Sequence, residues 1–468
     1  NLKTGVIVSI FIFFFFSYGY FYEAVKSVEL LSFISRHRYL MPLWLSLFGV
    51  GSYLLIKIKN LNKATEFFSV FAFVLVLAPL INLGIYETQR PSIINEKLFT
   101  DKDAAMLSGQ LKNKNQLPDV YYLMPDGFGN IEALKEAFGY DGSEFIRSLK
   151  DKGFFVATNS RTNYPTTGRS LSSALNMDYV DSLSARIGVD VDNRGDVQKK
   201  MINDNKVMHL LKSQGYQFIT FSSGWSLTNY NKNADIQFNG GRFDEFPMLL
   251  AQTTLLKPFF SGGKSFFAID ADAEMRKRVS YAFDKLGNEI PRIEGPKFIF
   301  AHMPVPHPPF LFDADGHEIS KDGGDFNSRD IANFDDVGYA QAYLGQLEFI
   351  SKKLDETVEN ILLNSKTPPI IIIQSDHGPF IPEPKNPDYD YPTESTSDER
   401  LRASLKNFAA YYLPKKNKAV LPNDMSPVNT FRLIFDQYFG TSYGLLKNKS
   451  YYHHPNRSGV EIPTARLK

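Results

Sequence analysis

Cysteine is missing altogether from these 468 residues. That excludes disulfides, thiolate metal sites and a cysteine nucleophile, and it leaves the redox compartment open. An excess of charge of either sign is missing as well: 52 basic residues stand against 51 acidic ones, so composition gives no reason to expect a nucleic-acid partner. Internal repeats are also lacking. What the chain does have is aromatic residues, 40 Phe and 24 Tyr, with many of the Phe near the N-terminus. It opens on Asn1 rather than Met, which reads as a fragment or a processed start.

The first 90 residues differ in character from the rest. Apolar runs at 5–22, 40–57 and 67–86 each approach the roughly 17–25 residues that a helix needs to cross a bilayer. Tyr20, Tyr22, Trp44, Tyr53 and Tyr86 are placed to sit at the interfaces. Residues 1–90 therefore predict a membrane anchor of about three transmembrane helices, in preference to core helices or a signal peptide. The first loop carries Lys26, Arg36 and Arg38, the second Lys57, Lys59 and Lys63. This tie leaves orientation undecided by the positive-inside rule.

Residues 91–118 are polar and aperiodic, a linker. From 119 to about 440 short apolar strands alternate with helical stretches. VYYLM at 120–124 and PIIIIQ at 369–374 are strands of the buried, parallel type. This pattern predicts an α/β domain, a mainly parallel sheet with helices on both faces, whose site forms beyond the carboxyl ends of the strands. Residues 441–468 form a basic, aromatic C-terminal tail.

Chemistry-bearing residues cluster at those strand ends. VYYLM is followed by Pro125-Asp126-Gly127, and PIIIIQ by Ser375-Asp376-His377-Gly378. Asp126, Asp376 and His377 can together hold one divalent cation through oxygen and nitrogen. The segment NYPTTGRSLSS at 163–173 puts threonine hydroxyls at a helix start, where the backbone N–H groups and the helix dipole favour an anion. Ordinary N-capping is the alternative there. FAHMPVPHPPF at 300–310 follows a strand and offers His302 and His307. Its prolines exclude a helix and predict loop histidines on stiff backbone, able to protonate a leaving oxygen. Arg169 is a candidate for a substrate oxyanion, and Trp225 for lining the site. The acidic stretch 388–399 reads as a solvated loop.

Taken together, the strand-end Asp126, the Thr at a helix start and the late Asp376-His377 pair resemble the alkaline phosphatase superfamily. More narrowly they resemble its sulfatase-like membrane branch, which includes lipoteichoic acid synthases and phosphoethanolamine or phosphoglycerol transferases. The resemblance covers about residues 118–440 and the multi-span N-terminus. It implies Asp126, Thr167, Asp376 and His377 as metal ligands and Thr167 as nucleophile; Thr167 is preferred to Thr166 because Ser170 follows it three positions on. It also implies His302 and His307 as substrate-contacting or catalytic, and a single divalent ion, manganese, zinc or magnesium. Asp313 and His317 stand at Asp-x-x-x-His spacing, and no Cys/Ser-x-Pro-x-Arg motif is present. A formylglycine sulfatase is thereby disfavoured. Asp126 stands where lipoteichoic acid synthases carry Glu.

What the resemblance implies is an integral protein of a bacterial-type cytoplasmic membrane, its catalytic domain extracytoplasmic. Such an enzyme would move a phosphoglycerol or phosphoethanolamine headgroup from a lipid or glycan ester to an envelope acceptor through a phosphothreonine. A phosphodiesterase or sulfate-ester hydrolase of the same superfamily, and a non-catalytic envelope-glycan-binding protein, are the alternatives.

Overall fold

A computed structural model describes residues 2–28, 36–89, 117–188, 190–242, 244–259, 270–319, 336–379, 392–414, 421–453 and 459–467. Most of the expected linker and the first part of the acidic stretch, up to residue 391, lie outside them. Two compact units emerge. One comprises residues 1–92 with 245–271 and 322–326; the other comprises 93–244, 272–321 and 327–468.

The first unit is built on three helices, α1 Leu2–Lys26, α2 His37–Lys57 and α3 Asn62–Gln89. α1 and α2 are long and apolar enough to cross a membrane, and only 11% of the apolar stretch of each is buried. That exposure is the reverse of a soluble core helix. In α3 the apolar stretch Ala72–Ile85 is shorter. α1 and α2 pack through aromatic rings: Trp44 lies 4.4 Å from Phe21 and 4.7 Å from Phe14. The Trp44 indole N–H donates to the Phe14 carbonyl at 2.9 Å. Phe11, Phe13, Leu43 and Leu47 face outward.

The second unit holds a seven-stranded sheet in the order β2-β7-β6-β1-β5-β3-β4. The strands are β1 Val120–Asp126, β2 Phe155–Val156, β3 Gln217–Phe221, β4 Ile236–Phe238, β5 Lys297–Pro306, β6 Ile370–Gln374 and β7 Ala409–Tyr412. β6, β1, β5, β3 and β4 run parallel, and β7 is antiparallel to β6. The expected mainly parallel α/β sheet is thus observed. Every residue of β1 and β6 is buried, which is why both read as continuous apolar runs rather than alternating ones. Each fully buried Ile of β6 contributes about 1.5–3 kcal/mol of apolar burial. The tail packs in as well: Tyr452, Ile462 and Leu467 form a buried cluster with Leu401 and Leu405.

The sequence reading of the 300–310 segment needs one correction. His302 is no loop residue; it lies inside β5, which runs on to Pro306. The ladder with β1 shifts register between Pro125 and Asp126, so that Asp126 pairs with Pro306 rather than with the next residue in step. That irregularity accommodates prolines lacking the N–H that a regular ladder uses. His307 lies just beyond the strand, as expected.

Glycine at 378 is dictated by packing. A Cβ there would stand 2.0 Å from the Ala403 carbonyl oxygen, while the Gly378 N–H donates to the Ser404 carbonyl at 2.8 Å. Gly378→Ala is expected to push the strand-end loop outward and destabilise the domain by about 2 kcal/mol or more. Thermal unfolding of the purified protein checks this.

Candidate active site

The parallel neighbours β6, β1 and β5 bring three chain segments to one edge. Val120 to Leu123 stand opposite Ile370 to Ile373 on one side, and Met124 stands opposite His302 on the other. Asp126 therefore ends β1 beside Ser375-Asp376-His377, which follows β6. The third contributor is the Thr167–Asn176 helix, all of whose residues are buried. Thr166 is its N-cap yet makes no side-chain cap bond, so simple capping does not account for the paired threonines. Thr167 is the first helical residue, with its hydroxyl beside the unpaired N–H groups and the positive end of the helix dipole.

These residues converge on His377. Its Nε2 lies 3.3 Å from Asp126 Oδ1, 3.4 Å from Asp376 Oδ2 and 3.5 Å from Thr167 Oγ1. Its Nδ1 faces the Gly378 carbonyl at 2.7 Å. Only a protonated Nδ1 makes that contact favourable, so the neutral ring turns a lone pair on Nε2 toward the oxygens. Thr167 is 8% exposed, Asp126 6%, His377 1% and Asp376 0%. At that depth, two carboxylates and an imidazole lone pair facing each other are unfavourable without positive charge among them. Asp126 Oδ1 and Asp376 Oδ2 are buried without a hydrogen-bond partner. Orphaned carboxylate oxygens around a ring nitrogen fit a divalent cation, with Asp126, Asp376, His377 and Thr167 as the residues able to hold it.

The histidines surround Asp126 on further sides. Burial by itself would push its carboxyl up, but His307, His302 and His377 hold it below the ordinary carboxylate value. His302 Nε2 lies 3.3 Å from Asp126 Oδ2 and its Nδ1 lies 2.7 Å from Thr228 Oγ1. Both of its ring nitrogens are therefore occupied by protein. His307 is half-buried, with its ring 5.9 Å from that of His377. Asp126, His307 and His377 offer ligand atoms within 4.8 Å of one another, as do Asp126, His302 and Asp376. Trp225, half-buried, tilts against the His302 ring at 5.7 Å.

Arg169 behaves otherwise. It is 3% exposed, and its guanidinium is engaged by the Asp192 carboxylate at 2.7 Å and by His453 Nδ1 at 2.7 Å. Such a buried, charge-paired guanidinium serves as an internal tie between its helix and the C-terminal segment.

A supporting layer escaped the sequence reading. Ser170 and Thr162 both donate hydroxyl bonds to the Asp376 carbonyl, the former at 3.0 Å. Ser170 thereby ties the helix of Thr167 to the loop of Asp376 and His377, one turn from the nucleophile candidate. Ser375 Oγ accepts from Phe128 N–H at 2.9 Å and donates to the His377 carbonyl at 2.6 Å. The Gly127 N–H donates to Asp376 Oδ1 at 3.2 Å. Thr228, which orients His302, is joined in turn to Ser223 at 2.8 Å. Only Ser170 left a trace in sequence, as the Ser three positions beyond Thr167.

Comparison with known proteins follows the same lines. The family model "Sulfatase" matches residues 118–419. No curated protein matches the chain by sequence. Among solved structures, the chain is similar to the C-terminal periplasmic domain of EptC from Escherichia coli, with 12% identity and a TM-score of 0.50. That match covers 76% of this chain and 95% of that one. A zinc complex of the same domain matches with 11% identity over the same shares, also at a TM-score of 0.50. The lipooligosaccharide phosphoethanolamine transferase A from Neisseria meningitidis, an integral membrane protein, matches at 11% identity and a TM-score of 0.47, over 86% of this chain and 70% of that one.

The ligand set has a direct consequence. Asp376→Asn and His377→Ala are each expected to lower divalent-metal affinity by about 100-fold or more. Ser170→Ala, which leaves every ligand atom in place, should lower it by about 10-fold. Metal titration of the purified protein by calorimetry checks the order.

Proposed function

The chain belongs to the sulfatase family, and on that footing we propose that it transfers a phospho-headgroup, phosphoglycerol or phosphoethanolamine, from a lipid ester to a cell-envelope acceptor. It is an enzyme of this superfamily, anchored in a membrane. The observation that carries the proposal is the meeting of Thr167 Oγ1 with Asp126, Asp376 and His377, where two buried carboxylate oxygens lack partners.

In this proposal Asp126, Asp376, His377 and Thr167 would hold a divalent cation, manganese, zinc or magnesium, which when bound would lower the pKa of the Thr167 hydroxyl and offset charge on the ester oxygens. Thr167 Oγ1 gives up its proton to solvent and attacks phosphorus in line, forming a threonyl O–P bond as the ester P–O bond to the lipid breaks. The departing lipid oxygen takes a proton. We assign that proton to His307, because it is half-buried and open to a substrate, whereas His302 is 2% exposed and faces Thr228 and Asp126. His302 then acts by fixing Asp126, and Trp225 beside it lines the substrate side. In the second half of the cycle an acceptor hydroxyl attacks the phosphothreonine and Thr167 recovers its proton. The helix start at Thr167 favours the negative charge that develops at each attack.

Support for a lipid donor comes from the anchor. Tethering the catalytic chain to a bilayer raises the effective concentration of a membrane-bound ester. An extracytoplasmic catalytic domain is part of the same proposal, in keeping with the periplasmic domain of the E. coli EptC structure. Because the family match is to sulfatases, hydrolysis of a phosphodiester or sulfate ester is the second reading. Phosphate and sulfate are both tetrahedral oxyanions that this site would accept.

The test is mass spectrometry of protein quenched during turnover with labelled phosphatidylglycerol or phosphatidylethanolamine. A phospho-headgroup adduct on Thr167 is expected, and Thr167→Ala should lose about 10³-fold or more in diacylglycerol release. Turnover undiminished in Thr167→Ala would overturn the nucleophile. Free headgroup as the only product would favour the hydrolase.

A further inference from the structure

Between β4 and the helix Ala271–Asn288, the chain leaves the sheet and sends out a short helix, Glu245–Thr253, followed by a turn through Lys257–Phe259. This excursion groups with the membrane helices, in the same compact unit as α1 and α2. From Phe246 to Leu256 it reads FPMLLAQTTLL, without a charge.

One face of the excursion is accounted for. Met248, Ala251, Gln252, Thr254 and Lys257 are buried, and Leu255 packs on the cluster of Tyr18, Val25, Leu40 and Trp44. The approach to α1 is a backbone contact: a Cβ at Gly19 would stand 2.1 Å from the Gln252 carbonyl oxygen. The Leu255 N–H donates to the Phe15 carbonyl at 2.8 Å. Phe15 lies about three turns before the end of α1 at Lys26, on the order of 16 Å along its axis. The excursion thus reaches well down the side of a helix read as membrane-spanning.

The opposite face is apolar and, among the described residues, exposed. Phe246 is 72% exposed, Leu250 45% and Leu256 41%. A short helix whose outer face is apolar belongs against other apolar surface or in lipid, and a run of this length is too short to span. Apart from Gln252 Nε2, which is buried without a hydrogen-bond partner, polar groups along it bond within the segment, as backbone in hydrocarbon requires. Thr253 and Thr254 hydroxyls donate to the Leu250 and Ala251 carbonyls, each at 2.8 Å. The Leu256 N–H donates to Thr254 Oγ1 at 3.1 Å, and the Phe259 N–H to the Leu256 carbonyl at 2.8 Å. Lys257 turns its ammonium back toward the helix end, 2.8 Å from Glu23 and over the Tyr22 ring, as a lysine does when it snorkels to the interface.

We propose that residues 246–259 are a re-entrant element of the membrane, whose Phe246, Leu250 and Leu256 face lies against lipid acyl chains and continues the lipid-facing surface of α1 and α2. The proposal rests on those helices spanning a bilayer and is independent of the chemistry at Thr167. Through it the catalytic chain is fastened to the bilayer at a point far along the sequence from its N-terminal spans.

The absence of native cysteine makes the test direct. Phe246→Cys, Leu250→Cys and Leu256→Cys, with Leu445→Cys as an exposed control in the other unit, are made singly in the full chain. Each carries a nitroxide label and is reconstituted in phosphatidylcholine–phosphatidylglycerol nanodiscs. Electron paramagnetic resonance then compares collisions with oxygen, which concentrates in lipid, and with a water-soluble nickel chelate. Oxygen collisions several-fold above chelate collisions at 246, 250 and 256, with the reverse at 445, are expected. Chelate collisions equal to those of the control at these positions overturn the proposal. Shielding from both reagents also overturns it, because a protein partner would then cover the face in place of lipid.

Discussion

The structure depends on the burial of like charge. Asp126 and Asp376 end two adjacent parallel strands, and the sheet sets their carboxylates on either side of His377 Nε2 at 3.3 and 3.4 Å. Among the described residues, the groups that surround them are histidines, serines and threonines. A buried carboxylate pair of this kind is held open only by rigid surroundings and is answered by a cation. Several features of the domain keep these groups fixed: the fully buried helix of Thr167, the glycine at 378, and the seating of His302 within β5 beside Asp126.

That rigidity is supplied by small hydroxyl side chains. Ser170, Thr162 and Ser375 bond to the backbone of the Asp376-His377 loop, so the nucleophile candidate and two ligand candidates move as one body. Thr228 does the same for His302. Polar layers of this kind set the orientation of ligating groups and tune what they bind. They also separate the roles of the two neighbouring histidines. His302 is built into β5 and faces protein on both nitrogens; His307, past the strand end, remains half-buried at the mouth of the site. Arg169 belongs to the scaffold, where Asp192 and His453 use its charge to fasten the C-terminal segment.

Legibility in the sequence tracked the strength of the local signal. β1 and β6 were readable because buried parallel strands are continuous apolar runs, and the Asp residues closing them stood out as polar breaks at strand ends. The family resemblance followed from those breaks together with Thr167, and the mainly parallel sheet from the apolar runs and their alternation with helices. His302 was misplaced into a loop because prolines at 304 and 306 argue against a regular strand, and a bulge that absorbs them leaves no mark in composition. Thr228 and Ser375 were invisible, since a lone hydroxyl residue is common everywhere and only the tertiary partner gives it a role. The excursion at 246–259 was passed over because its apolar run is shorter than any transmembrane criterion, and its meaning arises only from contact with α1.

The most direct measurement of the central claim is X-ray absorption at the zinc edge of the zinc-loaded protein. The account predicts a protein-bound ion with one or more imidazole nitrogens at about 2.0–2.1 Å and oxygen ligands at about 2.0–2.2 Å, and loss of the imidazole scattering in His377→Ala. A first shell of water oxygens alone, or a spectrum unchanged by His377→Ala, would contradict it.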